Sequence, residues 1–269
     1  MAKASSLSST QLVKMLYVGV SGTGKTGSLA SLVKAGYRLR VLDFDNGVSP
    51  LLSFVKRDCP DLYDNVDVIQ CRDKLKADPL KGAAVSGAAK AYTDGIKYMT
   101  KWDDESIPAT WGPDTIFVLD SLTMFGRAAF RWAQGMDPTC KDPRQWYNSA
   151  QQSIITVLDL LTSPEFNSHV LVLTHVDLVE MPDGTTHGYA SSLGKALGPK
   201  IPAVFNNMIL AESKGTGEAV KRTITTMPTS LLDLKNEKPF EIPRSLPLET
   251  GMATIFRTIR GPGPLEKTA

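Results

Sequence analysis

The sequence predicts an α/β fold in which a mostly parallel central sheet is flanked by helices, and three observations predict it. An apolar run over 15–18 leads directly into Gly19-Val20-Ser21-Gly22-Thr23-Gly24-Lys25-Thr26, which fits the phosphate-binding pattern G-x-x-x-x-G-K-[ST] at every fixed position. Strand, helix and strand then succeed one another within about 30 residues, the opening of a parallel sheet. Two later stretches, 115–120 and 169–174, are unbroken apolar over 116–119 and 170–173 and end in polar residues, as strands buried on both faces do.

In chain order, residues 27–35 supply a helix and 37–43 the second strand, which runs into the turn cluster Phe44-Asp45-Asn46-Gly47. A short helix is expected around 51–55 and a strand over 66–69. The charged, small-residue stretch 71–88 reads as a surface loop, and Tyr92, Ile96 and Met99 recur at helical spacing. The strand 115–120 ends in Asp120. From Trp146 the positions Ala150, Ile154, Val157, Leu158 and Leu161 keep helical spacing up to Pro164. After the strand ending in Thr174 and His175, the Gly-, Pro- and Ser-rich stretch 180–205 reads as a hairpin followed by a mobile loop. Late strands are expected at 207–212 and 220–226 across a hairpin turn. The expected organisation is a flexible tail over 1–11, a core over 12–230, and a C-terminal extension over 231–269 that ends in a disordered tail.

Composition narrows the function. Lys+Arg 30 against Asp+Glu 28 leaves a charge of only +2, so no global basic field announces a polyanion. The three cysteines, Cys59, Cys71 and Cys140, have no metal spacing and fit a reducing compartment. No apolar run approaches the ~18 residues of a membrane span and the first residues lack a signal-peptide core, so a cytoplasmic protein without a membrane partner is expected.

The chemistry concentrates at strand ends. Glycines let backbone N–H groups close on phosphate oxygens at the start of a helix, which makes Gly19, Ser21, Gly22, Thr23, Gly24, Lys25, Thr26 and Gly27 the expected nucleotide contacts. Lys25 is expected to reach the β- and γ-phosphates, and Thr26 with Asp120 to hold Mg²⁺. Asp43 and Asp45 emerge where ligands sit in such sheets; each either serves the attacking water or closes a turn. His175 is either a sensor of the γ-phosphate or an ordinary hydrogen-bonder. Residues 124–145 interleave Arg127, Arg131, Lys141 and Arg144 with Phe125, Phe130 and Trp132. That pattern suits a grip on single strands, or equally a helix with a packed aromatic face. Lys195 and Lys200, in the 180–205 stretch, suit a polyanion.

The order of these pieces resembles the RecA-like ATPase core, and among its members the compact phage and prophage single-strand annealing and ATP-binding proteins. The phosphate loop, the acid in Val41-Leu42-Asp43-Phe44-Asp45, the strand to Asp120 and the strand to Thr174-His175 carry the resemblance, over about residues 12–240. It implies that Asp45 stands where the family keeps its water-activating Glu and His175 where it keeps a phosphate-sensing Gln. It also implies DNA-contacting loops at 124–145 and 177–205, and a neighbour's cation completing the site, for which Lys221 and Lys235 are candidates.

The resulting expectation is a Mg²⁺–ATP-dependent ATPase that binds single-stranded DNA. It would act in recombination, annealing or replication as a ring or short filament, with a single-strand-binding protein as a further partner. Two alternatives stand beside it: a small-molecule kinase using Arg127, Arg131 and Arg144 over the phosphates, and a nucleotide-switched binding module without significant hydrolysis.

Overall fold

The computed structural model describes residues 12–80 and 82–267. The tail expected over 1–11 lies outside the described residues. Among the described residues the α-helices and β-strands follow in the order β1 (Lys14–Val18), α1 (Lys25–Ser28), α2 (Ala30–Lys34), β2 (Arg38–Asp43), α3 (Ser49–Asp58), β3 (Val66–Gln70), β4 (Leu75–Asp78), β5 (Gly82–Val85), α4 (Ala91–Thr100), β6 (Gly112–Asp120), α5 (Leu122–Met136), α6 (Pro143–Thr162), β7 (Ser168–Thr174), β8 (Val176–Glu180), β9 (Thr186–Ala190), β10 (Asn207–Lys214), β11 (Lys221–Thr225), β12 (Ser245–Pro247) and α7 (Leu248–Arg260). Among the described residues, no helix is long and apolar enough to cross a membrane.

Eight strands form one sheet in the order β12-β11-β10-β1-β7-β6-β2-β3. The pairs from β10 through β1, β7, β6 and β2 to β3 are parallel, while β11 and β12 add antiparallel strands at one edge. Alternation along each strand feeds two cores. Leu16 and Val18 pack on the face covered by α4, α5 and α6, whereas Met15 and Tyr17 pack on the face covered by α2, α3 and α7. His169 of β7 is buried on this second face, where its Nδ1 accepts the Val13 N–H at 2.8 Å beside the rings of Tyr37 and Phe256.

Four expectations are corrected. The 71–88 stretch is not a bare loop: β4 and β5 form a hairpin, and the Asp73 carboxylate at its base accepts the N–H groups of Lys90 and Ala91 at 2.8 and 2.9 Å. Residues 124–136 belong to α5 rather than to a loop, because Phe125, Ala128, Ala129 and Ala133 recur at helical spacing and are buried. The 191–205 segment is packed, with Leu193, Leu197, Ile201 and Phe205 in the core. Finally, the C-terminal extension is structural: Leu248, Met252, Ile255 and Phe256 make α7 amphipathic and seat it on β11 and α2. Beyond it, Leu265 donates its N–H to the Ala35 carbonyl, so 261–267 is not a free tail.

Candidate functional site

The parallel strands deliver their polar ends to one edge. Strand pairing sets Asp43 beside Asp120, Asp120 beside Leu173, and Val18 beside Thr174, so the loop after β1 faces the ends of β2, β6 and β7. Ligands of open parallel sheets bind along such an edge.

Within the loop, Gly24 has φ 90°, and a Cβ there would stand 2.6 Å from Leu248 Cδ2. The left-handed backbone therefore calls for glycine, and any side chain there would also have to displace Leu248. Lys25 Nζ donates to the carbonyls of Gly19 (2.8 Å) and Val20 (3.1 Å), which places the ammonium in the curve of the loop. Burial lowers its pKa, opposed by the charges of Asp120 and Asp45. Thr26 Oγ1 donates to Asp120 Oδ2 at 2.7 Å. Burial pushes the Asp120 carboxyl up to about 6, against the Thr26 hydrogen bond, with Asp45 and Asp43 adding to the rise.

The acids after β2 divide their work. Asp43 Oδ1 accepts the N–H groups of Asp45, Asn46 and Gly47 at 3.1, 2.7 and 3.2 Å, so this residue closes the turn. Asp45 is thereby aimed across the edge. Its Oδ1 accepts the Ser121 hydroxyl at 2.8 Å, and its Oδ2 lies 3.5 Å from His175 Nε2. Burial alone would raise the Asp45 pKa, yet it is lowered, because the contacts with His175 and Ser121 and the charge of Lys25 outweigh that cost. The Asp120–Ser121 peptide is cis. The His175 segment is tied onward: its carbonyl accepts the Ser191 N–H at 2.8 Å, and Thr174 Oγ1 donates to the Ser191 carbonyl.

These groups line a cavity of about 900 Å³. Of the expected residues, Ser21, Gly22, Gly24, Lys25, Thr26, Gly27, Asp45, Asp120 and His175 face it. Gly19 holds Lys25 through its carbonyl, and Thr23 donates to the Val20 carbonyl at 2.9 Å, stiffening the loop from within. Arg127, Arg131, Arg144, Lys195, Lys200, Lys221 and Lys235 do not line it. Arg131 lies 3.5 Å from Asp73, Arg144 is bonded to Asp142, and the backbone of Lys235 pairs with Met208. The aromatic residues interleaved with those arginines pack inward: Phe125 is fully buried, Trp132 lies against Tyr92 and Phe130 against Tyr147. Phe54, Ser121, Arg222 and Leu248 escaped the sequence reading. Alternation in β11 could have found Arg222, since Thr223 and Thr225 face a second cavity while Arg222 faces the first.

The donor set suits a hydrated hard cation carried with a polyphosphate. Thr26 and Asp120 offer oxygen atoms in contact, and Asp43 Oδ2 is buried without a hydrogen-bond partner. Among the described residues, no group of three or more His, Cys, Asp or Glu is placed to hold a metal ion by itself.

A family model described as "AAA domain" matches residues 11–237. The chain belongs to the AAA-domain family. No curated protein matches its sequence. Among solved structures, a KaiC-like protein of the hyperthermophilic archaeon Pyrococcus horikoshii is similar at 11% identity, over 79% of this chain and 78% of that one, with a TM-score of 0.42. The flagellar accessory protein FlaH of Methanocaldococcus jannaschii is similar at 9% identity over 87% and 83%, with a TM-score of 0.43. The RadB recombinase is similar at 11% identity over 82% and 91%, with a TM-score of 0.42. This AAA-domain protein has an α/β core with a mostly parallel central sheet, flanking helices and a phosphate-loop sequence after β1.

Proposed function

We propose that this protein is a Mg²⁺-dependent ATPase that grips single-stranded DNA, as an oligomer and in a recombination or annealing role. The observation that carries the reading is the convergence of Lys25, the Thr26–Asp120 contact and the Asp45 carboxylate on one cavity. In this reading the loop amides and Lys25 hold the β- and γ-phosphates, and Thr26 and Asp120 hold the ion. Bound Mg²⁺ supplies charge neutralisation on the phosphate oxygens. Asp45, fixed by Ser121 and His175, orients the attacking water.

The DNA part rests on a connection. His175 touches Asp45 on one side and, through Ser191, the segment that carries the exposed Lys195 and Lys200 on the other. Nucleotide contacts at Asp45 and His175 are thereby coupled to a basic surface, and such coupling acts equally in both directions. Steady-state hydrolysis of Mg²⁺–ATP with and without single-stranded DNA, with Lys25→Ala as the blank, tests it. Stimulation of several-fold is expected; hydrolysis indifferent to DNA removes the DNA half of the proposal.

One observation favours a second reading. The Asp45 carboxylate, held below its usual range, is a weak proton acceptor, which suits a nucleotide-switched binding module with slow turnover. DNA affinity that rises with ATP and is retained in Asp45→Asn would select that reading over a motor.

A further inference from the structure

The first turn of α5 touches both members of the Asp45–His175 pair. Ser121, its N-cap, donates to Asp45 Oδ1 at 2.8 Å. Thr123, two residues on, turns its buried hydroxyl toward the end of β7, where Oγ1 accepts the His175 N–H at 3.2 Å. The same oxygen lies 3.0 Å from Thr174 Oγ1 and donates to the Ser191 carbonyl at 3.1 Å. A carboxylate and the imidazole 3.5 Å from it are thus both tied to one helix start.

The bond to His175 falls where the sheet gives out. The paired register of β7 ends at Thr174, opposite Val18 of β1, so the next N–H has no neighbouring strand to serve it. A backbone donor in that place needs another acceptor, and the Thr123 hydroxyl supplies it. Thr123 is the second residue of its helix, so no carbonyl of a preceding turn competes for that hydroxyl.

Beyond His175 the joint is closed from the other side. The His175 carbonyl accepts the Ser191 N–H at 2.8 Å, and the Ser191 carbonyl accepts the Thr174 hydroxyl. Gly126, one turn further along α5, lets this segment come close: a Cβ there would stand 3.3 Å from the backbone of both Ser192 and Leu193.

We propose that Thr123 is a positioning residue for ATP hydrolysis: its hydroxyl fixes the backbone of His175, and thereby the imidazole that holds Asp45 toward the attacking water. The proposal rests on the ATPase reading and deepens it, since Ser121 engages one Asp45 oxygen and leaves the other to His175. Thr123 does not line the phosphate cavity, so it reaches the reaction through His175.

Steady-state hydrolysis of Mg²⁺–ATP by the full chain, together with amide exchange followed by NMR, tests it. Thr123→Val, which keeps the volume and removes the hydroxyl, is expected to lower kcat about fivefold or more while KM changes less than about twofold. Its His175 amide is expected to exchange about tenfold faster, while those of Leu171 and Val172 in the middle of β7 keep their wild-type rates. Thr123→Ser is expected to restore kcat to within about twofold of wild type, and Thr123→Cys, whose sulfur is a weak acceptor, to fall between. In a His175→Ala background Thr123→Val is expected to cost nothing further, because the two residues act as one unit. A wild-type kcat in Thr123→Val overturns the proposal, as does an unchanged His175 amide or a loss that adds in full to that of His175→Ala. Should the valine variant not fold, the serine and cysteine variants decide, and equal kcat in those two overturns it. Hydrolysis by wild type no faster than by Lys25→Ala overturns the ATPase reading, whatever the His175 amide shows, and the role of Thr123 with it.

Discussion

Ser121 donates its hydroxyl to Asp45 at 2.8 Å, linking the residue after β6 to the turn after β2. The same oxygen accepts the Met124 N–H at 3.4 Å as the N-cap of α5. One side chain thus fixes both the start of a helix and the carboxylate that faces the phosphate loop.

Ser121→Ala separates these roles. Loss of a hydrogen bond to a charged group is worth about 1.5–3 kcal/mol, so kcat is expected to fall roughly tenfold as Asp45 loses its aim. The lost cap costs about 1 kcal/mol of stability. ATP affinity is expected to hold, because Lys25 and the loop amides are untouched. Steady-state kinetics read this as a fall in kcat at nearly constant KM; a rise in KM alone would contradict the positioning role.

Asp120→Asn tests the ion site without emptying it of volume. Thr26 keeps an acceptor, since the amide oxygen can take the place of Asp120 Oδ2. The buried negative charge that would attract Mg²⁺ is gone. The expected outcome is loss of Mg²⁺-dependent hydrolysis and of the extra thermal stabilisation that Mg²⁺–ATP gives over ATP with chelator, measured as a shift in Tm. Wild-type Mg²⁺ dependence in this variant would remove Asp120 from the ion site.

Much of this was legible from the sequence, for identifiable reasons. The phosphate loop and the strands ending at Asp43, Asp120 and Thr174 are local patterns: fixed residue types at fixed spacing, or apolar runs with a polar stop. Asp43 shows the limit, because whether an acid after a strand meets phosphate or its own turn depends on three backbone N–H groups that only the folded turn aligns. The arginines and aromatics of 124–145 illustrate a second limit. Composition suited a nucleic-acid surface, but helical periodicity sent Phe125 and Trp132 into contacts with Tyr92. Leu248 was illegible for a third reason: it reaches the phosphate loop by the docking of α7, which no local pattern encodes.

His169 sets a pH dependence of stability. Burial, reinforced by the nearby charge of Arg260, lowers its pKa from 6.5 to about 3, and its Nδ1 must stay unprotonated to accept the Val13 N–H. Between those values the unfolded chain binds a proton that the folded chain does not. Its contribution is therefore fully present above about pH 6.5 and declines on acidification toward pH 3, with a slope near 1.4 kcal/mol per pH unit. His169→Asn, which keeps an acceptor near the Nδ1 position, is expected to flatten that slope in denaturant melts between pH 4 and 6. An unchanged slope would place the acid sensitivity elsewhere.

Arg222 lines the cavity with Lys25, Lys34 and Arg57 and is the arginine set against the phosphate loop, so its origin decides how the site is completed. It lies on β11 within the same chain, and its Cδ stands 3.5 Å from the position a Gly24 Cβ would take. Among the described residues, no carboxylate forms an ion pair with it. By alternation Lys221 sides with Thr223 and Thr225, which face the second cavity, so Lys221→Ala is expected to leave hydrolysis nearly unchanged. Arg222→Ala is expected to lower kcat/KM for ATP by about tenfold or more, as loss of a cation at developing phosphate charge does. Mixing it with Lys25→Ala then distinguishes cis from trans. A residue acting within its own chain cannot be supplied by the neighbour, so the mixture should hydrolyse no faster than the sum of its parts. Recovery on mixing would show instead that Arg222 serves the site of an adjacent copy, and would place an intersubunit boundary at the open side of the phosphate cavity.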